Sequence, residues 1–461
     1  MNNITRRAWL ALGPALLALA GCASGQSLQE FPPIVFVHGN GDTAALWQTT
    51  IWRFESNGWP RDRLHAIELP YPLARDDDTK PQPGRTSAAE HMAYLKAEVG
   101  KMLASTGAKQ VVLVGNSRGG NAIRNYIANG GGERTVSHAI LGGVTNHGIW
   151  AFHIDGLPDN SEFAGHGPLF SQLNQPKNAA GDEVTGPVKW LTIRSDGNDK
   201  YAQPDGLWVG KRGVATGVTP AGPELKGATN VVIPRIDHRE TAFSAAAFDA
   251  MYRFLTGRAP ATTTVAPEAA AVLGGNVTGL GLSPTDPASG NYADNLPLPG
   301  ASLEIFAIDG VTGERLGAAA YTKVTGTDGL WGPFNAKPET RYEFVITAPG
   351  YATTHIYRSP FPRSSSVVNL RPARIAEIDK HAPAIVTMSR PRGYLDPGRD
   401  KMALDGQSPP PGAVLGAGVS ASTVKPTGLP RTITGEFNGE RVTGRSWPAS
   451  ENQVTILELT Y

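Results

Sequence analysis

A run of four apolar residues, Val111-Val112-Leu113-Val114, meets Gly115 and then Asn116-Ser117-Arg118-Gly119-Gly120. Asn121-Ala122-Ile123-Arg124-Asn125-Tyr126-Ile127 follows at once and reads as a helix. This order of buried strand, sharp turn and helix constrains the chain more than any other stretch. A strand so apolar belongs in a sheet covered on both faces. Gly115 and Gly119 suit places where strand and helix pass too close for a Cβ. A serine at such a turn takes a strained backbone conformation that stands its hydroxyl clear of the sheet edge, which makes Ser117 a candidate nucleophile. Taken alone, G-x-S-x-G also describes a serine in an ordinary glycine turn; the flanking strand and helix argue for the nucleophile.

The same alternation of strand and helix continues on either side. Pro33-Ile34-Val35-Phe36-Val37-His38-Gly39-Asn40-Gly41 is a second apolar strand entering a glycine turn. Such a turn can offer the backbone N–H of Asn40 to an oxyanion, with the N–H of Arg118 as the second donor; a plain strand-ending turn is the alternative. Residues 45–60 read as a helix with Trp47, Ile51, Trp52 and Phe54 mainly on one side, and residues 64–69 as a strand. Thr86 to Thr106 reads as a helix, with Ser87 as its cap and Gly107 as its stop. Val136 to Gly143 is the next strand. The pattern predicts an α/β fold with a mostly parallel sheet.

Two later strands end in loops that carry chemistry. Val188 to Arg194 precedes Asp196, Asp199 and Asp205. Asp199 is best placed to orient an imidazole, Asp196 is its rival, and Asp205 in Pro-Asp-Gly-Leu reads as a turn residue. Ala228 to Glu240 holds a strand ending in a loop that carries His238, followed by an amphipathic helix from Phe243 to Leu255. His238 would take a proton from Ser117 and return it to a leaving alcohol; a structural loop histidine is the other reading. The order Ser117, Asp199, His238 is itself informative.

Three stretches resemble the Archaeoglobus-type carboxylesterase-lipases of the α/β-hydrolase superfamily: Pro33 to Gly39, the serine turn, and Ala228-Thr229-Asn230-Val231 through His238 to Phe254. The resemblance implies a hydrolase domain joined to a β-rich C-terminal region that handles lipid. The chain departs from that group twice. Gly142-Gly143 stands where the group places an acid soon after the serine, which directs attention to Asp199. Asn116 and Arg118 flank the serine where His and an apolar residue are usual.

Around this core the organisation reads as follows. Residues 1–21 form an export signal: Thr5-Arg6-Arg7-Ala8-Trp9-Leu10 resembles a twin-arginine signal and Leu19-Ala20-Gly21-Cys22 a lipoprotein box. Cys22 would then be lipidated and would attach the protein to a membrane, giving a periplasmic or cell-surface lipoprotein or a secreted protein. A plain signal peptide with an incidental cysteine is the alternative. Cys22 is the single cysteine, so no intrachain disulfide or thiol nucleophile is available. The hydrolase domain spans 27–257, with an irregular insert at about 145–187 read as a cap or lid whose aromatics Trp150, Phe152, Phe163 and Phe170 would face substrate; a surface excursion with its own small core is the other reading. His147, His153 and His166 lie in the insert without paired metal-ligand spacing, so ordinary hydrogen-bonding roles are expected and no metal is assigned. A Pro/Ala/Thr linker covers 258–271. Residues 272–373 resemble a small β-sandwich found beside carboxypeptidases, and 374–461 form a further β-rich part with a flexible loop near 407–427.

A net charge of +1 with 18% charged residues and no basic stripe excludes nucleic acid as a natural partner. The expected activity is hydrolysis of lipid or other hydrophobic esters through an acyl-enzyme, without cofactor. A polyester such as polyhydroxyalkanoate is the alternative substrate, and a non-catalytic surface binding protein is the remaining reading.

Overall fold

The computed structural model describes residues 31–282, 291–292, 294–428 and 430–461; the export signal and Cys22 lie outside them. Six parallel strands make the first sheet: β1 (Ile34–Val37), β2 (Leu64–Ala66), β3 (Val111–Asn116), β4 (Val136–Gly142), β5 (Lys189–Ser195) and β6 (Thr229–Ile233). Their spatial order is β2-β1-β3-β4-β5-β6. The chain therefore winds one way from β1 to β2 and the other way from β3 onward. Ligands of such sheets bind in the crevice beyond the strand ends where the winding reverses, here between β1 and β3.

Period-two alternation decides which side chain meets which helix. Ile34, Phe36, Val112, Val114 and Ile193 pack with α1 (Gln48–Ser56), α5 (Glu240–Phe243) and α6 (Ala245–Thr256) on one face. Val35, Val37, Leu113, Ala139 and Leu141 pack with α2 (Ala88–Thr106) and α3 (Arg118–Asn129) on the other. Ser87 and Glu90 form a reciprocal capping box at the start of α2, and Gly107 ends it in the left-handed conformation. The helix expected from Phe243 to Leu255 is split: Ser244 interrupts it with extended backbone and caps α6.

The insert at 145–187 holds one short helix, α4 (Pro168–Leu173). Ile149, Trp150, Ile154 and Ala164 share a small core with Tyr201, Val209 and Val214 from the β5–β6 connection. Trp150 is buried in this packing and Phe163 half-buried against it; Phe170 is buried elsewhere, and Phe152 alone of the four aromatics is exposed.

Beyond residue 257 the described chain is all β. A seven-stranded sheet runs β11-β10-β13-β14-β20-β15-β17. Four of its strands, β10 (Ser302–Ile308), β11 (Tyr321–Val324), β13 (Arg341–Thr347) and β14 (Thr353–Arg358), precede residue 374. The other three, β15 (Val386–Ser389), β17 (Ala421–Val424) and β20 (Gln453–Glu458), follow it. The two parts drawn at 373/374 thus share one sheet, joined where β14 and β20 pair in parallel, and the loop expected near 407–427 contributes β17. Ile356 and Ile456 face the pair β7 (Ala271–Asn276) and β12 (Leu330–Ala336). Their neighbours Tyr357 and Leu457 face β16 (Met402–Leu404), β18 (Thr432–Phe437) and β19 (Glu440–Arg445). A minor pair, β8 (Gly281–Leu282) and β9 (Asn291–Tyr292), completes the described strands.

This β region is docked on the first sheet's helices. Trp52 of α1 is buried among its residues and donates from Nε1 to the Ser364 carbonyl at 2.8 Å. The stretch read as a linker is strapped to α1: Arg53 donates to the Thr263 carbonyl and Asn57 to that of Thr262, both at 2.8 Å.

Candidate active site

Ser117 stands between the end of β3 and the start of α3 with φ 54° and ψ −127°, a conformation that costs a non-glycine residue about 1–3 kcal/mol. Close packing holds it there. A Cβ on Gly119 would come within 2.3 Å of the Val37 carbonyl oxygen, so only glycine lets α3 begin beside β1. The Ser117 amide donates to the Gly142 carbonyl at 3.0 Å.

The loop after β5 carries Asp199, buried, whose Oδ1 lies 2.8 Å from Nδ1 of His238 on the loop after β6. A carboxylate can only accept, so Nδ1 carries the proton and Nε2 is left as the basic nitrogen. The same Oδ1 accepts from the Tyr201 amide at 2.9 Å, and the Tyr201 ring packs 4.4 Å from the imidazole. Asp196 does not approach His238. It is exposed and accepts from the Arg235 amide at 2.7 Å. Asp205 caps a turn by accepting from the Leu207 amide.

Gly142 and Gly143 are where serine and histidine loops meet. Gly143 has φ +60°, and a Cβ there would lie 2.8 Å from the His238 carbonyl oxygen and 3.2 Å from its Nδ1. An acidic side chain at this position would displace the imidazole. Asn116, fully buried, donates from Nδ2 towards the carbonyls of Gly142 and His238 and to Thr241 Oγ1 at 3.0–3.1 Å. The residue before the serine thereby holds the histidine loop. The Ser117 hydroxyl and His238 Nε2 make no hydrogen bond among the described residues, and neither is a fully buried atom.

The two proposed oxyanion donors flank this point. Neither the Asn40 nor the Arg118 amide has an acceptor among the described residues. The Asn40 side chain accepts from Ala74 N at 2.7 Å, fixing its turn. His38 is buried; it accepts at Nε2 from Leu69 N and bonds through Nδ1 to the Gly39 carbonyl, and burial pushes its pKa down. It is a neutral strut. The Arg118 guanidinium points away from its own amide, bonding Pro72 and Thr86 and pairing at 2.7 Å with buried Glu162 of the insert.

One group of site residues was not readable from the sequence. Asp237, fully buried beside His238, accepts from Arg390 Nη1 at 2.7 Å and the Tyr394 amide at 2.8 Å. Glu240 bonds Arg390 at 2.6 Å and Arg399 at 2.7 Å. Burial opposes charge on Asp237, yet Arg390 and Arg399 hold its carboxyl below the usual range; burial and then Asp237 push that of Glu240 up. Two carboxylates flanking a histidine in Asp237-His238-Arg239-Glu240 were the visible sign, but their arginine partners come from the distant β region.

Residues 32–154 match the family model for class 2 lipases, and residues 270–375 that for the lipase C-terminal domain. The chain carries an α/β-hydrolase fold, and two of its segments match lipase family models. These matches are broader than the Archaeoglobus-type group that its motifs resemble. Among solved structures, the chain is similar to the mature lipase BlEst2 of Bacillus licheniformis, at 20% identity and TM-score 0.34 over 49% of this chain and 93% of that one. The propeptide form of BlEst2 aligns at 17% identity and TM-score 0.36, over 69% and 89%. A monoacylglycerol lipase of Paleococcus ferrophilus aligns at 14% and 0.30, over 49% and 96%. Among the described residues no helix is long and apolar enough to cross a membrane.

Proposed function

We propose that this ester hydrolase is a serine carboxylesterase or lipase acting on hydrophobic esters through an acyl-enzyme. The observation that carries the reading is the 2.8 Å contact between Asp199 and His238 Nδ1, on loops that converge at Gly142–Gly143 with the strained Ser117 turn. Ser117 Oγ attacks the ester carbonyl while His238 Nε2 takes its proton, and Asp199 stabilises the imidazolium. The carbonyl oxygen becomes an oxyanion between the Asn40 and Arg118 amides, whose preorganised N–H groups favour the transition state over the ground state. His238 then protonates the leaving alcohol, and water deacylates the serine by the same route reversed. Export and attachment through lipidated Cys22 belong to this reading.

The test is hydrolysis of p-nitrophenyl butyrate and palmitate, with fluorophosphonate labelling, for wild type and Ser117→Ala. Wild type is expected to turn over and label at Ser117, while the variant keeps its fold and loses both. Equal hydrolysis by the two proteins would remove the mechanism.

A further inference from the structure

We propose that His153, Asp159 and His166 form a transition-metal site of the zinc class that clasps the insert beside the active site. Asp159 Oδ1 lies 2.7 Å from His153 Nδ1 and 2.7 Å from His166 Nε2. The three ligand atoms all fall within 4.8 Å of one another, and the two rings stand nearly perpendicular, 84° apart with centroids separated by 6.1 Å. Spacing along the chain gave no sign of this, because the convergence is made by folding.

Two imidazoles and one carboxylate suit Zn²⁺ and its neighbours in the series; Ca²⁺ and Mg²⁺ want oxygen ligands. The ion would replace two ring-to-carboxylate hydrogen bonds. Ligands about 2.1 Å from a tetrahedral centre lie roughly 3.4 Å apart, so each imidazole must back off the Asp159 oxygen by about 0.7 Å to admit the ion. These side chains are exposed enough to do so, with accessibilities of 59% for His153, 52% for Asp159 and 27% for His166, which leaves a coordination position for water. Asp155 stands 3.2 Å from His153 Nε2, the carboxylate behind a histidine that orients metal-bound imidazoles.

The main chain places these ligands in advance. Gly165 N donates to the Trp150 carbonyl at 2.7 Å, Gly167 N to that of Ala164 at 2.9 Å, and Ser171 Oγ to that of His166 at 2.9 Å. A Cβ on Gly167 would meet the Asp159 carbonyl oxygen at 2.5 Å, so the turn closes tightly on the acid. Glu162, buried and paired with Arg118, lies within this turn. An ion bound here would therefore stiffen the segment that anchors the residue after Ser117.

The test uses the full chain, stripped with a chelator and titrated with Zn²⁺ against a chromophoric competitor. Wild type is expected to bind a single ion and to melt at higher temperature with it, while Ca²⁺ does not compete. His166→Ala and Asp159→Asn should each weaken binding about tenfold or more, and His147→Gln, in the same insert but outside the cluster, should leave it unchanged. Absence of Zn²⁺ binding by wild type would overturn the site. So would undiminished affinity in a His153→Ala/His166→Ala double variant whose circular dichroism matches wild type.

Discussion

Asp199 and Asp196 follow the same strand, yet one is buried against an imidazole and the other faces solvent, tied to a backbone amide. Asp199→Asn is expected to lower kcat by about 10⁴, the scale seen when a triad acid becomes an amide, while Asp196→Asn should stay within a few-fold; steady-state kinetics on p-nitrophenyl butyrate separates them. Gly143→Ala should also cost activity without touching any reacting group, because its Cβ would press on His238. Wild-type turnover in that variant would show that the imidazole has room to shift. Glu68 has a different consequence. Burial pushes its carboxyl up to about 8, against the Ala44 amide and Arg371 and with help from Asp42. The folded chain then keeps a proton that the unfolded chain releases near the ordinary carboxylate value, so stability falls as pH rises from about 4.5 to about 8. Glu68→Gln should gain in melting temperature over wild type across that window; parallel curves between pH 5 and 8 would contradict this. At this scale the turn bearing Ser117 and the loop bearing His238 were legible because each sits in its own local pattern. Which aspartate meets the imidazole was narrowed only by its neighbours, and Asn116 was visible as an oddity whose use emerged when the histidine loop folded onto it.

Among the elements, the loop carrying His238 is held from two sides, by Asn116 beneath and by Arg390 and Arg399 from the β region. Removing one partner of a buried ion pair strands a charge and costs about 3–5 kcal/mol. Arg390→Met should therefore lower both the melting temperature and kcat, with kcat falling more than KM rises. Adding Asp237→Asn should recover part of the loss, and a double variant no better than the sum of its singles would dismiss the coupling. Strands β1, β3 and β4 were legible from apolar runs ending at glycine, and α2 from its cap and stop. Helix α1 was half legible. Trp47 and Phe54 do face the first core, but Trp52 points into a second one, and periodicity cannot say that a helix has neighbours on both sides.

At the scale of the molecule, the hydrolase and β regions behave as one body. Trp52, the strapped 258–271 segment and the Asp237–Arg390 cluster cross between them, and Asn295 donates to the carbonyls of Asp42 and Leu69 at 2.9 Å. Calorimetry of the full chain is expected to show a single unfolding transition; two resolved transitions would mean that the contacts are too weak to couple the parts. Removing the chain beyond residue 260 would strand Asp237 and uncover Trp52. The β content was legible in the alternating runs. The sharing of one sheet across residue 374 was not, because a parallel pair such as β14 and β20 leaves no hairpin turn to read.

That pairing also sets an order of events. β20 follows every other described strand in the chain, yet it lies inside the seven-stranded sheet, between β14 and β15. Just beyond it, Arg390 bonds the Tyr461 carbonyl and Arg392 those of Thr460 and Leu459. A nascent chain can complete its first sheet early, whereas Arg390, which braces the His238 loop, gains its Tyr461 partner only once β20 has paired between β14 and β15, so that loop is tightened late.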